Sequence, residues 1–180
     1  MTPAEEVAEF AVVALPRLRR TAFLLCGDWH TAEDLAQTTL AKVFVSWRRI
    51  RRRDAVQAYA TRTLVNTYFA DKKLKRPREV LTDTLPERPA EWPAPETRMV
   101  VLSALATLPP RGRAVVILRY WEDLSVEQVA AILGCSPGNV KSQSARCLDK
   151  LRAVLGDALI DSGPGGHHQQ RDEVRKAGHE

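Results

Sequence analysis

Apolar residues recur along most of the chain at steps of three and four, the spacing that places side chains on one face of an α-helix. The clearest run covers 31–47, where the apolar positions are Ala32, Leu35, Ala36, Leu40, Val43, Phe44 and Trp47. Thr31, with Asp34 three residues later, predicts the N-terminal cap of this helix. Similar spacing predicts a first helix over about 4–25, bent at Pro16, and a third from about Ala55 to Lys75.

The second half of the chain predicts shorter helices, at 97–108, at 111–121 and from Ser125 to Gly134. Ser125 and Gln128 have the spacing of a capping box, and Gly134 is a typical helix stop. Ser136 is a good cap for the next helix, with Pro137 at its first position. The inner face of this last helix is predicted to carry Val140, Cys147, Leu148 and Leu151.

No sustained apolar–polar alternation and no Asn-Gly or Asp-Gly hairpin signal is present, so the pattern predicts an all-α protein. Five of the eleven prolines lie between Pro77 and Pro95, a stretch that cannot form a continuous helix and is typical of an extended linker. We therefore expect two small helical domains at 1–76 and 98–155, joined by a Pro-rich linker at 77–97 and followed by a disordered tail at 156–180.

The net charge of +5 is unevenly distributed. Residues 1–76 carry +6 and residues 99–155 carry +3, whereas 77–98 and 156–180 carry −2 each. Two basic segments separated by an acidic one fit a polyanionic partner contacted at two places. Charge alone favours this interpretation no more than a pair of solvated helical surfaces.

A short helix, a turn with glycine and a second capped helix within about 24 residues form the helix-turn-helix layout. In that layout the N-terminal part of the second helix meets base edges in the major groove. The candidate reading residues that lie there, off the apolar stripe, are Lys141, Ser142, Gln143, Ala145 and Arg146. A helical hairpin used only for packing has a similar pattern, and that alternative stays open from the spacing alone.

A second basic site is predicted on the third helix and at its end. The basic cluster comprises Lys72, Lys73, Lys75, Arg76 and Arg78, and the polar and aromatic residues before it include Tyr59, Asn66 and Tyr68. Positive charge neutralises phosphates and aromatic faces stack on unpaired bases. The alternatives are a solvated helix end for the cluster and a hydrogen bond inside the core for Asn66.

The sequence offers little for catalysis, metal binding or a membrane. It contains no phosphate-binding glycine loop and no paired Cys-x-x-Cys set. Its three separated cysteines do not suggest a disulfide framework, and no stretch approaches the roughly 18 apolar residues of a membrane span. We therefore expect a cytoplasmic protein that is not an enzyme, with no cofactor, metal site or membrane contact.

Three stretches together resemble the extracytoplasmic-function sigma factors, the smallest members of the sigma-70 family of RNA polymerase subunits, in their actinobacterial form. Residues 32–47, AEDLAQTTLAKVFVSW, are similar to region 2.2, and residues 59–76, YATRTLVNTYFADKKLKR, to regions 2.3 and 2.4. Residues 105–152 resemble region 4, with LPPRGR, LRYWEDLS and GNVKSQ in the family's order and spacing. The resemblance implies a regulated sigma factor that directs promoter-specific initiation and aids promoter melting.

The resemblance also implies partners and residue roles. Asp34, Leu35 and Gln37 would dock on the β′ clamp helices of core RNA polymerase, with Leu40 and Phe44 in the core of the domain. The −10 promoter element would be contacted by Tyr59, Arg62, Asn66, Lys72, Lys73 and Arg76. Lys141, Ser142, Gln143, Ala145 and Arg146 would read the −35 element, and the β flap would contact region 4. The resemblance leaves open whether an anti-sigma protein also binds.

Two departures from the family lie at the reading end of the last helix. Asn139 stands where Thr is common, and Gln143 where Arg is common. The promoter preference of a relative therefore cannot be transferred to this chain. A one-component regulator with a helix-turn-helix remains the main alternative function, and it would bind specific duplex DNA without polymerase.

Overall fold

The computed structural model describes residues 2–50, 55–74 and 95–156, which form two compact units divided near Arg98. The first unit contains α1 (Pro3–Cys26), α2 (Trp29–Ser46) and α3 (Val56–Leu74). The second contains α5 (Pro110–Val116), α7 (Pro137–Leu155) and the greater part of α4 (Pro95–Ala106) and of α6 (Val126–Leu133). No strand occurs within these described ranges, and the all-α fold is confirmed.

The predicted domain limits are not all covered by the described residues. Most of the predicted linker at 77–97 and all but the first residue of the predicted tail at 156–180 lie outside them. The last three linker positions are helical, because α4 begins at Pro95 and not at Thr97. The division into 1–76, 77–97, 98–155 and 156–180 therefore stays a prediction.

Helix α1 is fixed at both ends by its own sequence. The Thr2 N–H donates to the Glu5 carboxylate at 2.7 Å, and the Glu5 N–H donates to the Thr2 hydroxyl at 3.3 Å. This reciprocal cap satisfies amide donors that a helix start leaves without partners. The helix runs as one element through Pro16 and ends at Gly27, whose φ of 75° is a conformation that glycine adopts at little cost.

Helix α2 begins earlier than the sequence predicted. Its cap is Asp28, whose carboxylate accepts from the Thr31 N–H at 2.8 Å, so the predicted cap at Thr31 with Asp34 is wrong. The helix continues into a 3-10 turn at Trp47–Arg49. There the buried Trp47 indole donates to the Glu6 carboxylate at 3.2 Å and packs against the Phe10 ring, tying the end of α2 to the start of α1.

The core of the first unit lies between its three helices. Its fully buried members include Leu18, Leu25, Leu35, Val43 and Leu64. Phe44 was expected in this core but is 58% exposed, so that prediction is wrong. The buried face of α2 instead includes Thr39, whose hydroxyl donates to the Leu35 carbonyl at 2.7 Å and is thereby satisfied away from water.

The ends of the helices in the second unit are marked by the capping residues that the sequence predicted. The Ser125 N–H donates to the Gln128 side chain at 2.8 Å and the Gln128 N–H to the Ser125 hydroxyl at 3.1 Å, which confirms the capping box of α6. Gly134 follows α6 with φ 62°, and Ser136 caps α7 by accepting from the Asn139 N–H at 3.2 Å. The predicted helix at 111–121 is present as α5 followed by a π-helical turn at Ile117–Trp121.

A close approach between α5 and α7 fixes their packing. Gly112 is buried against Cys147, and a Cβ placed on Gly112 would lie 2.5 Å from the Cys147 sulfur. Such a distance is far inside van der Waals contact, so a side chain at Gly112 would force the two helices apart. Glycine at this position therefore sets how closely α7 lies on the core of its unit.

Candidate nucleic-acid interfaces

Helices α6 and α7 form the two helices of a helix-turn-helix. The turn between them is closed by the Cys135 N–H, which donates to the Ala130 carbonyl at 3.0 Å. One face of α7 is fastened to the rest of the unit by four buried side chains, Val140, Ser144, Cys147 and Leu151. The opposite face of α7 is consequently held in a fixed orientation and points to solvent.

The predicted −35 reading residues lie together near the start of α7. Lys141, Ser142, Ala145 and Arg146 are exposed, and Gln143 is half-buried at the flank of the helix. Exposure leaves their side chains free to reach a groove, which is the geometry that the helix-turn-helix mode requires. The role of these residues in reading DNA stays a prediction, whereas their shared location is a feature of the structure.

The polar side chains on α7 are organised in pairs one helical turn apart. The Arg146 guanidinium donates through Nη2 to the Ser142 hydroxyl at 2.9 Å and through Nε to the Ser142 carbonyl at 3.3 Å. In parallel, Gln143 Nε2 donates to Asn139 Oδ1. Asn139 was not among the predicted site residues, although its exposure and its spacing of four from Gln143 could have identified it.

Two ionisable groups on α6 and α7 have shifted pKa values. The pKa of the Glu127 carboxyl is lowered by its own backbone N–H, then by the Ser125 hydroxyl, and also by the positive charges of Lys141 and Arg119. Burial raises the pKa of the Cys147 thiol. Cys147 is therefore a protonated packing residue at neutral pH, and not an activated nucleophile.

The exposed side of α3 carries the second candidate site. Arg62 and Asn66 are both exposed and lie one turn apart, with Ala58 and Ala70 continuing the same ridge. Asn66 is therefore not a core residue, which removes one alternative left open by the sequence. Tyr59 is half-buried beside this ridge, and its hydroxyl donates to the Ser46 hydroxyl of α2 at 2.8 Å.

The basic end of α3 is only partly described. Lys72 is exposed, and its ammonium lies 5.7 Å from the centre of the Tyr68 ring, a cation–π distance. Tyr68 itself is buried and so cannot serve as a stacking platform. The Lys73 side chain, Arg76 and the arginines at 51–53 lie outside the described part of the chain.

The residues predicted to dock on polymerase do not share one environment. Asp34 and Gln37 are exposed on α2, and the Gln37 amide donates to the Glu33 carboxylate at 3.0 Å. Leu35 is 1% exposed and fills the core of its unit, so its predicted docking contact is corrected to a packing role. Phe44 and Val45, which is 80% exposed, lie on the same outer side of α2 as Asp34, and the sequence prediction missed both as surface residues.

A metal centre and a membrane-spanning helix are two further features that a functional site could involve. No group of three or more His, Cys, Asp and Glu side chains suited to a metal occurs within the described ranges. Of the helices in those same ranges, none is long and apolar enough to cross a membrane. Cys26 donates its thiol hydrogen to the Asp28 carbonyl at 3.2 Å, so it acts in the turn between α1 and α2.

Comparison with known protein families finds two matches. Residues 13–73 match the family model for sigma-70 region 2, and residues 98–151 match that for sigma-70 region 4. The first segment spans the second half of α1, all of α2 and α3 up to its last residue but one. The second spans most of α4, all of α5 and α6, and α7 as far as Leu151.

The chain is also similar to individual proteins along most of its length. It is 37% identical over 162 residues to the RNA polymerase sigma-E factor of Streptomyces coelicolor, covering 87% of this chain and 92% of that protein. It is 32% identical over 160 residues to the ECF RNA polymerase sigma factor EcfG of Rhodopseudomonas palustris, covering 85% and 87%. Among solved structures, the sigma factor RpoE of Bartonella quintana, in complex with the anti-sigma factor NepR, matches with a TM-score of 0.70 and 27% identity, covering 84% of this chain and 97% of that one.

Proposed function

The chain belongs to the sigma-70 family, as an extracytoplasmic-function sigma factor of actinobacterial type, and from that premise we propose how its residues divide the work of initiation. It binds core RNA polymerase and directs transcription to particular promoters by reading their −10 and −35 elements. In our proposal α2 docks on polymerase, α3 contacts the −10 element and α7 reads the −35 element. The observation that carries this division is that predicted residues for each task are exposed on a different helix: Asp34 and Gln37 on α2, Arg62 and Asn66 on α3, and Lys141 and Arg146 on α7.

The proposed −35 reader is the outer face of α7. Its four buried residues fix the helix, and the exposed Lys141 and Arg146 supply the positive charge that a phosphate backbone or a guanine edge requires. Ala145, exposed between them, is small enough to let the helix approach a thymine methyl. Ser142 holds the Arg146 side chain, and Gln143 offers a carboxamide of the kind that pairs with adenine.

The proposed −10 contact is the ridge of α3 that carries Arg62 and Asn66. These side chains are exposed and polar, and the exposed Lys72 adds a positive charge near the end of α3. Tyr59 borders the ridge and can offer the edge of its ring to an unstacked base. Capture of a flipped base costs a few kcal/mol of unstacking, which contacts along this ridge would offset as the promoter opens.

The proposed docking surface on α2 consists of Asp34, Gln37, Phe44 and Val45. The first two follow from the family motif, and the last two are added because large apolar side chains that lie exposed on one side of a helix are typical of an interface. Docking would bury Phe44 and Val45 against the β′ clamp helices, and the β flap would bind the second unit. Leu35 keeps its packing role in this scheme.

The family also supports a regulated mode of action. The similar Bartonella sigma factor was solved with an anti-sigma factor, and we propose that an inhibitor of this class restrains this chain by covering surfaces that polymerase also uses. We further propose that the chain acts in the cytoplasm and performs no catalytic step of its own. The protonated Cys147 thiol fits that view, because a nucleophilic cysteine requires a lowered pKa.

Reconstitution with core polymerase tests the proposal. The purified chain and core enzyme should together initiate at a cognate promoter, while the chain alone should bind duplex DNA poorly. Tight and specific duplex binding without core polymerase would favour the alternative of a one-component regulator. The Asp34→Ala variant tests the proposed docking surface in the same assay. It should fold normally and need a higher concentration than the wild type to support the same level of initiation.

A further inference from the structure

Two polar residues of α7 that lie one helical turn apart contact each other. Gln143 Nε2 donates to Asn139 Oδ1. We propose that Asn139 is a positioning residue that fixes the Gln143 carboxamide for recognition of adenine at one base pair of the −35 element. The proposal rests on the assignment of α7 as the −35 reader.

The backbone at Asn139 is held from both sides along the helix. Its own N–H donates to the Ser136 hydroxyl that caps α7, at 3.2 Å. The next residue, Val140, is completely buried. The cap and the buried neighbour hold the backbone at Asn139, and the hydrogen bond from Gln143 Nε2 engages its side-chain oxygen.

The contact determines which groups Gln143 has left to offer. A glutamine amide has two N–H donors and one carbonyl acceptor. With one N–H given to Asn139, the other N–H and the carbonyl remain, and these are the two groups that pair with N7 and N6 of adenine. A Gln143 amide that rotated by 180° on its own would bring its carbonyl against the Asn139 oxygen, so the contact disfavours the swapped orientation unless both amides rotate together.

A second pair on α7 provides an internal control. Ser142 and Arg146 have the same spacing of four residues and their own hydrogen bonds at 2.9 Å and 3.3 Å. Because the two pairs share no member, a change in one should alter reading at its own base pair only. Ser142, like Asn139, is an exposed residue in the first half of α7. Ser142→Ala is therefore a matched control for changes at Asn139.

The experiment uses the full chain with core polymerase and a promoter library randomised through the −35 element, with initiation measured for each template. The wild type should favour adenine at one base pair, and Gln143→Ala should lower that preference by roughly tenfold. Asn139→Leu, which removes the acceptor, should lower the same preference about fivefold or more and leave the other base pairs unchanged. Ser142→Ala should leave this preference intact.

Asn139→Asp separates positioning from a general loss of binding. Aspartate can only accept, so it should keep Gln143 oriented and retain the adenine preference, while its negative charge lowers initiation alike on all templates. Melting curves of each variant check that α7 is folded. A purely structural role for Asn139 would change initiation on every template without changing their ranking.

Three results would overturn the inference: an unchanged preference in Asn139→Leu, a change confined to another base pair, or an Asn139→Asp variant that loses the preference as the leucine variant does. If the wild-type holoenzyme initiated without regard to the −35 sequence, the proposed role of α7 itself would fail. Selective initiation by the wild type with an unaffected Asn139→Leu variant would overturn the role of Asn139 alone.

Discussion

Helices α3 and α7 both present polar side chains to solvent, but different neighbours hold them. Near the start of α7 the contacts stay within the helix, from Arg146 to Ser142 and from Gln143 to Asn139, whereas farther along Lys150 donates to the Thr107 carbonyl at 2.6 Å. On α3 they reach another helix, because Tyr59 donates to Ser46 of α2 at 2.8 Å and Thr67 accepts from the Lys42 ammonium at 2.8 Å. Arg62 and Asn66 remain exposed between these anchors.

This difference suggests two modes of reading. The face of α7 is preset by its own hydrogen bonds, which suits the fixed donor and acceptor pattern of a duplex groove. The face of α3 is tied to α2, the helix that we propose docks on polymerase. We therefore expect docking to influence contacts at the −10 element, whereas reading at −35 should depend on the second unit alone.

The largest expected effect separates core from surface on α2. Leu35→Ala should lower the free energy of unfolding by about 2–5 kcal/mol, because it leaves a cavity among fully buried side chains. Phe44→Ala should change the stability by about 0.5 kcal/mol or less and weaken binding to core polymerase instead. Denaturant unfolding measures the stability of both variants, and a titration measures their binding to core polymerase. Equal destabilisation by the two changes would refute the exposed placement of Phe44.

The next effect tests how the second unit holds α7. Gly112→Ala should cost about 1–3 kcal/mol of stability, because the added Cβ meets the Cys147 sulfur at 2.5 Å. Cys147→Ala in the same chain removes that sulfur and should restore much of the loss. Thermal melting of the single and double variants measures the rescue, and additive destabilisation would show that the two residues do not press on each other.

A reciprocal pair tests whether the two units have separate roles. Arg146→Ala should cost about 1–3 kcal/mol of discrimination at the −35 element and leave core binding intact. Asp34→Ala should weaken core binding and leave the preferred −35 sequence unchanged. Binding to core polymerase and initiation on substituted promoters measure the two effects, and the opposite result would reverse the assignment of the units.

The smallest effect concerns the tie between α3 and α2. Tyr59→Phe removes the hydroxyl that donates to Ser46 and should cost about 0.5–1.5 kcal/mol of stability. The ring remains, so contact with an unstacked base should persist. Promoter melting by the reconstituted holoenzyme measures whether the contact with the unstacked base persists. A complete loss of promoter melting would mean that the Tyr59 hydroxyl itself contacts DNA.

The sequence predicted much of this structure because local signals and burial agreed. Ser125 with Gln128, Gly134 and Ser136 mark the ends of α6 and α7 correctly, since the caps form within a few residues of each other. The outer face of α7 followed from the spacing of Val140 and Leu151. The family resemblance, and not the spacing, supplied polymerase as a partner.

The errors on α2 have a physical cause. Phe44 fits an apolar pattern of threes and fours, but the helix buries Thr39 instead, whose hydroxyl is satisfied by the Leu35 carbonyl. A pattern of apolar residues does not identify a buried polar residue such as Thr39. The predicted inner face of α2 was therefore rotated about the helix axis relative to the face that is buried. The contact between Gln143 and Asn139 was also missed, because the spacing of four permits it but the side-chain rotamers decide whether it forms.

The central claim is that α7 reads the −35 element and α3 the −10 element. The most direct test measures initiation by holoenzymes carrying Arg146→Ala or Asn66→Ala on promoters substituted at each position of both elements. We predict that Arg146→Ala changes base preference only within the −35 element, and Asn66→Ala only within the −10 element. A change of preference in the other element for either variant would contradict this account.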